Sequence, residues 1–231
     1  MDLLDGIATT RAIRRYRPDP IPDEDLTKIL FAATRAPSGS NRQGFRFIVL
    51  RDGPRAMQAR QLLGEGARRI WEEKRVRDGY DAGSGADLSS PKARMAATME
   101  HFTEHFHEAP VIVLAALWCH RRSSVVLGGA VWPAVQNLLL AARGLGYGGV
   151  ITGWQEPCEA ELRTVLGMPE DPKLELVATI PLGLPMGNHG PVRRRPMAEM
   201  IYEDGWEQPA AWAVDPEGTR FTSAGPPRTK S

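Results

Sequence analysis

Apolar positions along the chain alternate between helical and strand spacing, and the alternation lays out the elements in order. Leu3, Leu4 and Ile7 share one face of a short first helix over residues 2–9. A basic segment, residues 11–17, ends at Pro18 and Pro20. Pro22 with Asp23, Glu24 and Asp25 then marks a helix start, because the helix dipole favours negative charge in the first turn. Leu26, Ile29, Leu30 and Ala33 follow at helical spacing until Pro37 and Gly39 stop the helix. Residues 45–50 read as a buried strand closed by the turn Arg51-Asp52-Gly53-Pro54. Residues 55–77 form a highly charged helix with Leu62, Leu63, Ile70 and Trp71 as its apolar side, and residues 79–91 read as a mobile loop. A helix over 92–107 precedes a strand over 111–117, and a largely apolar helix over 125–143 is expected to be buried on most sides. Gly144, Gly146, Gly148 and Gly149 turn the chain into a strand over 150–152. A helix over 159–166 is closed by Gly167 as a left-handed cap, and the last strand covers 174–182. No segment repeats, and the pattern predicts an α+β domain with few strands and long helices. Its span is 1–206; residues 207–231 thin out into Pro, Gly, Ser and Thr and read as a weakly ordered tail.

Length and charge narrow the function classes. A chain of 231 residues suits one substantial core better than two. Twenty-nine basic residues against 28 acidic ones leave a formal charge of +1, which is no electrostatic footprint for nucleic acid. Cys119 and Cys158 lack metal-like spacing and fit a reducing compartment. The N-terminus carries acids early and has no signal-peptide core, and nowhere do about 18 apolar residues run together. A soluble cytoplasmic protein without a membrane span is therefore expected.

Three segments suggest an anionic, planar cofactor. Arg11, Arg14, Arg15 and Arg17 cluster after the first helix. Arg193 and Arg195 share a face if their segment is extended, and two guanidinium groups on one face can clamp a phosphate. Between them, Ala36-Pro37-Ser38-Gly39-Ser40-Asn41-Arg42-Gln43 is a loop dense in small polar groups and backbone donors. Taken singly, each has an ordinary reading as solvated arginines or a plain turn.

Together these segments resemble a family. Thr10-Arg11-Ala12-Ile13-Arg14-Arg15-Tyr16 is similar to the Arg-Arg-Ser-x-Arg-x-Phe opening of FMN-dependent nitroreductases, and Pro20-Ile21-Pro22 stands at that family's Pro-hydrophobic-Pro. The 36–43 loop resembles its Ala-Pro-Ser-x-x-Asn-x-Gln, and Phe45-Arg46-Phe47 its Trp-x-Phe. Residues 136–142 with Gly144-Leu145-Gly146 are similar to its central helix and glycine exit, and residues 193–200 to its C-terminal basic segment. The resemblance spans residues 3–206. It implies a small, mostly antiparallel sheet flanked by helices, in an intertwined homodimer with FMN sites at the interface. Arg11, Ala12 and Ile13 would wrap the ribityl-phosphate arm, and Arg14 would reach the N1/O2 edge of the ring as the catalytic cation. Pro37, Ser38 and Asn41 would come from the second subunit, Ile151, Thr152 and Gly153 would lie along the ring, and Arg193 and Arg195 would hold the phosphate. NADH or NADPH would supply hydride for a small electron-poor acceptor, such as a nitroaromatic, quinone or enone, by a ping-pong scheme. Thr10 stands for the family's first arginine, which shifts phosphate binding toward the C-terminal pair; Ala12 leaves only backbone groups where the family has a serine hydroxyl, and Gly44-Phe45 alters packing more than chemistry.

Other candidates weigh less. His101 and His105, with His107, Glu104 and Glu108 nearby, have a one-turn spacing compatible with a metal, although solvated helix positions explain them as well. Cys158 near a helix start would have a lowered thiol pKa, but neither it nor Cys119 has an evident His partner. Trp71 and Tyr80 sit where relatives carry substrate-covering elements, and Trp71 reads more readily as a core anchor. Reductive dehalogenation of the iodotyrosine type, the flavin-consuming synthesis of dimethylbenzimidazole, flavin sequestration without turnover and a cofactor-free scaffold are the rival readings.

Overall fold

The computed structural model describes residues 1–119 and 128–222. Contacts divide the chain into two compact units, residues 12–188 and residues 1–11 with 189 onward.

The larger unit is built on a four-stranded sheet. Its strands are β1 (Phe45–Leu50), β2 (Val111–Trp118), β3 (Gly148–Gly149) and β4 (Leu174–Gly183), in the order β1-β2-β4-β3. Each of these pairings is antiparallel: Phe45 lies opposite Leu117, Val111 opposite Leu182 and Gly149 opposite Leu182. A register slip between Ala115 and Ala116 marks a bulge in β2. Central β2 is buried from Val111 to Leu117, so it reads as an unbroken apolar run.

The two faces of β2 feed two cores, as a strand's period of two requires. Val111, Val113, Ala115 and Leu117 pack with Ile29 and Ala33 of α2 (Asp23–Thr34) and Val135 and Leu138 of α5 (Trp132–Gly144). Ile112, Leu114 and Ala116 pack with α3 (Pro54–Arg77) and α4 (Pro91–Glu104) through Leu63 and Phe102. There Trp154 meets Phe102 and Phe106 at ring-centroid separations of 4.5 and 4.6 Å. α6 (Glu159–Leu166) ends at Gly167 with φ 65° and ψ 36°, the left-handed cap that its sequence predicts.

Several boundaries differ from expectation. The helix expected over 125–143 runs from Trp132, with Pro133 in its first turn, and its positions 125–127 lie outside the described residues. The strand expected over 150–152 is the glycine pair Gly148–Gly149; beyond it Thr152 makes an isolated bridge with Thr179. A Cβ at Gly149 would stand 2.8 Å from the Pro181 carbonyl oxygen, so close approach outweighs β propensity here. α4 stops at Glu104, and His105 caps it before the 3-10 segment Phe106–Glu108, which takes His105 off the helix. Residues 79–91 contain a 3-10 turn, Gly83–Ala86, and Ser90 caps α4.

α3 also buries a different side. Its inward residues are Ala59, Arg60, Leu63, Gly64, Gly66, Ala67 and Trp71, while Leu62 and Ile70 are only partly covered. Gly66 allows the approach: a Cβ there would lie 2.5 Å from the Trp154 carbonyl oxygen. Gly66→Ala is expected to cost about 2 kcal/mol by overpacking against backbone, read as a lower denaturation midpoint with an unchanged slope. Arg60 is 5% exposed and donates to backbone carbonyls of Ala109 (2.6 Å), Pro110 (3.0 Å), His107 (3.1 Å) and Leu50 (3.4 Å). Burial lowers its pKa, with Asp52 opposing.

The smaller unit starts with α1 (Leu3–Thr9), capped by Asp2, whose carboxylate accepts from the Leu4 N–H at 2.9 Å. Leu3, Leu4 and Ile7 are all exposed. The Gly190 and Val192 N–H groups donate to the Thr9 and Ala8 carbonyls, tying the chain just before Arg193 to the end of α1. β5 (Arg193–Arg194) pairs in parallel with β6 (Arg220–Phe221). Residues assigned to the tail by composition make further bonds: Trp212 Nε1 donates to Glu203 at 2.9 Å, and Asp215 accepts from the Met197 N–H at 3.0 Å.

Candidate active site

In the larger unit the basic opening segment is fixed across the end of the sheet. The Ile13 N–H donates to Gly149 at 3.0 Å, Arg17 N–H to Leu184 at 2.8 Å, and Met186 N–H to Arg15 at 3.0 Å. Ile13 is buried, and the Tyr16 hydroxyl donates to its carbonyl at 2.5 Å. Burial drives the Tyr16 pKa well above the phenol range, so it stays protonated. These anchors hold Ala12, Ile13 and Arg14 beside the chain that leaves β3 toward 151–153. That stretch is fixed in turn, because Thr152 and Thr179 exchange backbone bonds of 2.9 Å and the Thr179 hydroxyl donates to buried Gln155 at 2.9 Å. Ile151 is left exposed and Gly153 half-buried.

Arg14 is half-buried, and among the described residues its guanidinium has neither a hydrogen bond nor a carboxylate partner. Desolvation lowers its pKa, with Tyr16 and then Tyr80 opposing. A partly desolvated cation with no counter-charge is a site waiting for negative charge. Arg14 also lines a cavity of about 350 Å³ with Arg15, Tyr16, His101, His105 and Glu108.

The 37–43 loop satisfies itself. Ser38 Oγ accepts from the Gln43 N–H at 2.9 Å, and Asn41 Oδ1 accepts from Gln43 Nε2 at 3.0 Å. Ser40, Asn41 and Gln43 all have left-handed φ, of 53°, 52° and 49°, which non-glycine residues adopt uncommonly and functional sites concentrate. Pro37 is exposed. Among the described residues no hydrogen bond or ion pair joins this loop to Arg14 or to 151–153.

Arg11, Arg193 and Arg195 belong to the smaller unit. Arg11 and Arg193 are exposed. The Arg195 Nε is buried without a hydrogen-bond partner, and Glu199 lies 3.8 Å away, beyond hydrogen-bonding reach. This donor set fits a phosphate: guanidinium groups with open valences, close to the backbone that follows α1.

The remaining candidates resolve into structural roles. Burial, then Glu161 and Glu65, push the Cys158 thiol up to about 11, against the lowering expected at a helix start. Burial and Glu175 raise Cys119 as well, so neither thiol supplies a thiolate near neutral pH. Trp71 is 3% exposed, stacks edge-on with Tyr80 at 5.0 Å and donates to Glu100 at 3.2 Å. No group of three or more His, Cys, Asp or Glu side chains able to hold a metal occurs among the described residues. No described helix is long and apolar enough to cross a membrane.

Comparison with known proteins identifies the family of the chain. The profile of the Nitroreductase family matches residues 7–184. A Thermus thermophilus protein named NADH dehydrogenase is 30% identical over 203 residues, covering 83% of this chain and 90% of its own. An iodotyrosine deiodinase of Thermotoga neapolitana is 28% identical over 189 residues, covering 80% and 90%. A Desulfovibrio desulfuricans structure described as a nitroreductase in complex with FMN superimposes with a TM-score of 0.63 at 31% identity, covering 89% of this chain and 98% of that one. By this extent of sequence and fold, the chain belongs to the nitroreductase family.

Proposed function

We propose that the chain passes hydride from a nicotinamide to small electron-poor acceptors at an FMN site completed by a second copy of itself. It is an FMN-dependent oxidoreductase that uses NADH or NADPH as co-substrate. The observation that carries the reading is Arg14: a half-buried, unpaired guanidinium held where the opening segment crosses the sheet end.

Bound FMN would supply the hydride chemistry that links the nicotinamide to the acceptor in a ping-pong scheme. The residues position and stabilise. Arg14 places positive charge at the N1/O2 edge, where negative charge develops on reduction. Ala12 and Ile13 present backbone to the ribityl arm, and Ile151, Thr152 and Gly153 line the ring. Arg11, Arg193 and Arg195 bind the phosphate. Pro37, Ser38 and Asn41 serve the partner subunit's site, in keeping with a loop that is internally satisfied. Nitroaromatics, quinones and enones are the expected acceptors.

Arg14→Ala is expected to slow flavin reduction at least tenfold while weakening FMN binding by less, since its charge acts mainly on the reduced form. Stopped-flow reduction beside equilibrium FMN titration separates the two effects, and an unchanged reduction rate would remove the role. Reductive dehalogenation is the second reading, favoured by the similarity to the Thermotoga neapolitana deiodinase. Trp71 and Arg75 are already engaged by Glu100, so a lid drawn from them would first have to break those bonds. Halide release from an iodinated phenol under anaerobic reducing conditions would establish it.

A further inference from the structure

We propose that the sheet end where β1 begins and β2 finishes binds the adenosine 2′-phosphate of NADPH, so that this coenzyme is preferred over NADH. The inference rests on the oxidoreductase reading and adds what that reading leaves open, the choice of nicotinamide and the residues that make it.

Strand pairing puts an aromatic ring and a cation on one face. The Trp118 N–H donates to the Gly44 carbonyl at 2.8 Å, and Arg46 lies opposite Ala116. Arg46 and Trp118 are therefore diagonal neighbours on the same side of the sheet. Gly44, across from Trp118, has no side chain to lay over the indole, and a Cβ there would stand 2.7 Å from the Trp118 carbonyl oxygen. β2 is buried from Val111 to Leu117, yet Trp118 is 42% exposed. An open indole of this kind is a stacking platform for a planar base such as adenine.

Charge supplies the second half of the subsite. Arg42, two residues before Gly44, is exposed, and among the described residues its guanidinium has no hydrogen bond or carboxylate partner. Arg46 Nη1 donates to the carbonyls of Gln43 and Phe45 at 2.9 and 2.8 Å, which turns this guanidinium back toward the same loop. It too has no carboxylate partner among the described residues. Glu175 of β4 pairs with Leu117 and so faces the other side of the sheet. Two guanidinium groups without a counter-charge match one phosphate dianion, and their planar forks match its oxygens. Position selects the source of that phosphate. Arg42 adjoins Asn41 on the loop that serves the flavin site, and its internal bonds hold that loop in place before a coenzyme arrives.

The test is calorimetric titration of the FMN-loaded protein with adenosine 2′,5′-bisphosphate and with 5′-AMP, which lacks the 2′-phosphate. The bisphosphate is expected to bind at least about tenfold more tightly. Arg42→Ala, a truncation at an exposed position, should bring the two within about twofold of each other. Trp118→Leu should weaken both by about tenfold, because stacking serves the base of each. In stopped-flow reduction NADPH should half-saturate at a concentration at least about tenfold below that of NADH. Equal binding of the two nucleotides overturns the proposal, as does a preference that Arg42→Ala leaves intact or wild-type affinity for both in a folded Trp118→Leu protein. Flavin reduction by NADH reads the oxidoreductase activity alone, and the titration reads the subsite without turnover, so the two readings fail separately.

Discussion

Replacing Arg193 and Arg195 together by alanine is expected to lower FMN affinity by roughly a hundredfold while the chain stays folded. The phosphate of FMN is its most concentrated charge, and each hydrogen bond to a charged group contributes about 1.5–3 kcal/mol, so losing two such partners removes about 3 kcal/mol or more. Arg193 is exposed and Arg195 only partly covered, with Glu199 too distant to hydrogen-bond its Nε, so neither truncation opens a core. Flavin content after purification and FMN titration of the stripped protein report the effect, with far-ultraviolet circular dichroism as the folding control. The wild-type affinity should fall with added salt and the variant's much less. Unchanged flavin content would place the phosphate elsewhere.

Arg60→Met is expected to destabilise the fold by about 3 kcal/mol or more, and to lower the melting temperature by roughly 10 °C for a chain of this size. The usual reasoning for a buried ion pair does not transfer, because the acceptors here are backbone carbonyls that no substitution removes. Arg60 joins the exit of β1 at Leu50, the turn at His107 and the entry of β2 at Ala109 and Pro110 to α3. Methionine fills the volume and leaves those oxygens buried without donors. Differential scanning calorimetry decides the matter, and a shift of only a degree or two would show that water replaces the guanidinium.

Elements whose signals are local were legible in the sequence. Gly167 caps α6 because only the adjoining turn decides that geometry, and β1 and β2 announce themselves as short apolar runs between turn residues. Where packing at a distance decides, the sequence misled. In β3, Leu182 and Pro181 of β4 leave no space for a side chain at Gly149, whereas propensity pointed to Val150 onward. The break at residues 129–131 before the helix at Trp132 was hidden because apolar residues continue upstream, although Pro133 already marked a first turn. α3 is highly charged, and Arg60 recurs with Leu63, Ala67 and Trp71 at helical spacing on the buried side. That spacing was the available clue to Arg60.

At the candidate site the contrast is similar. Arg14 stood out through the family's opening motif, and the structure adds that it is unpaired and partly desolvated. The cavity beside it joins residues as far apart as Arg15, His101 and Met186, which no spacing rule connects. The left-handed φ values at Ser40, Asn41 and Gln43 were likewise hidden, since only Asn carries a preference for them.

The central claim is that this chain holds FMN and lets a nicotinamide reduce it. The most direct measurement is the visible spectrum of the purified protein, recorded before and after anaerobic addition of NADPH or NADH. The account predicts a yellow protein with flavin absorption that bleaches with at least one nicotinamide and recovers when a quinone or nitroaromatic is added. A colourless protein that takes up no added FMN would contradict it, and a bound flavin that neither nicotinamide bleaches would contradict the proposed hydride transfer.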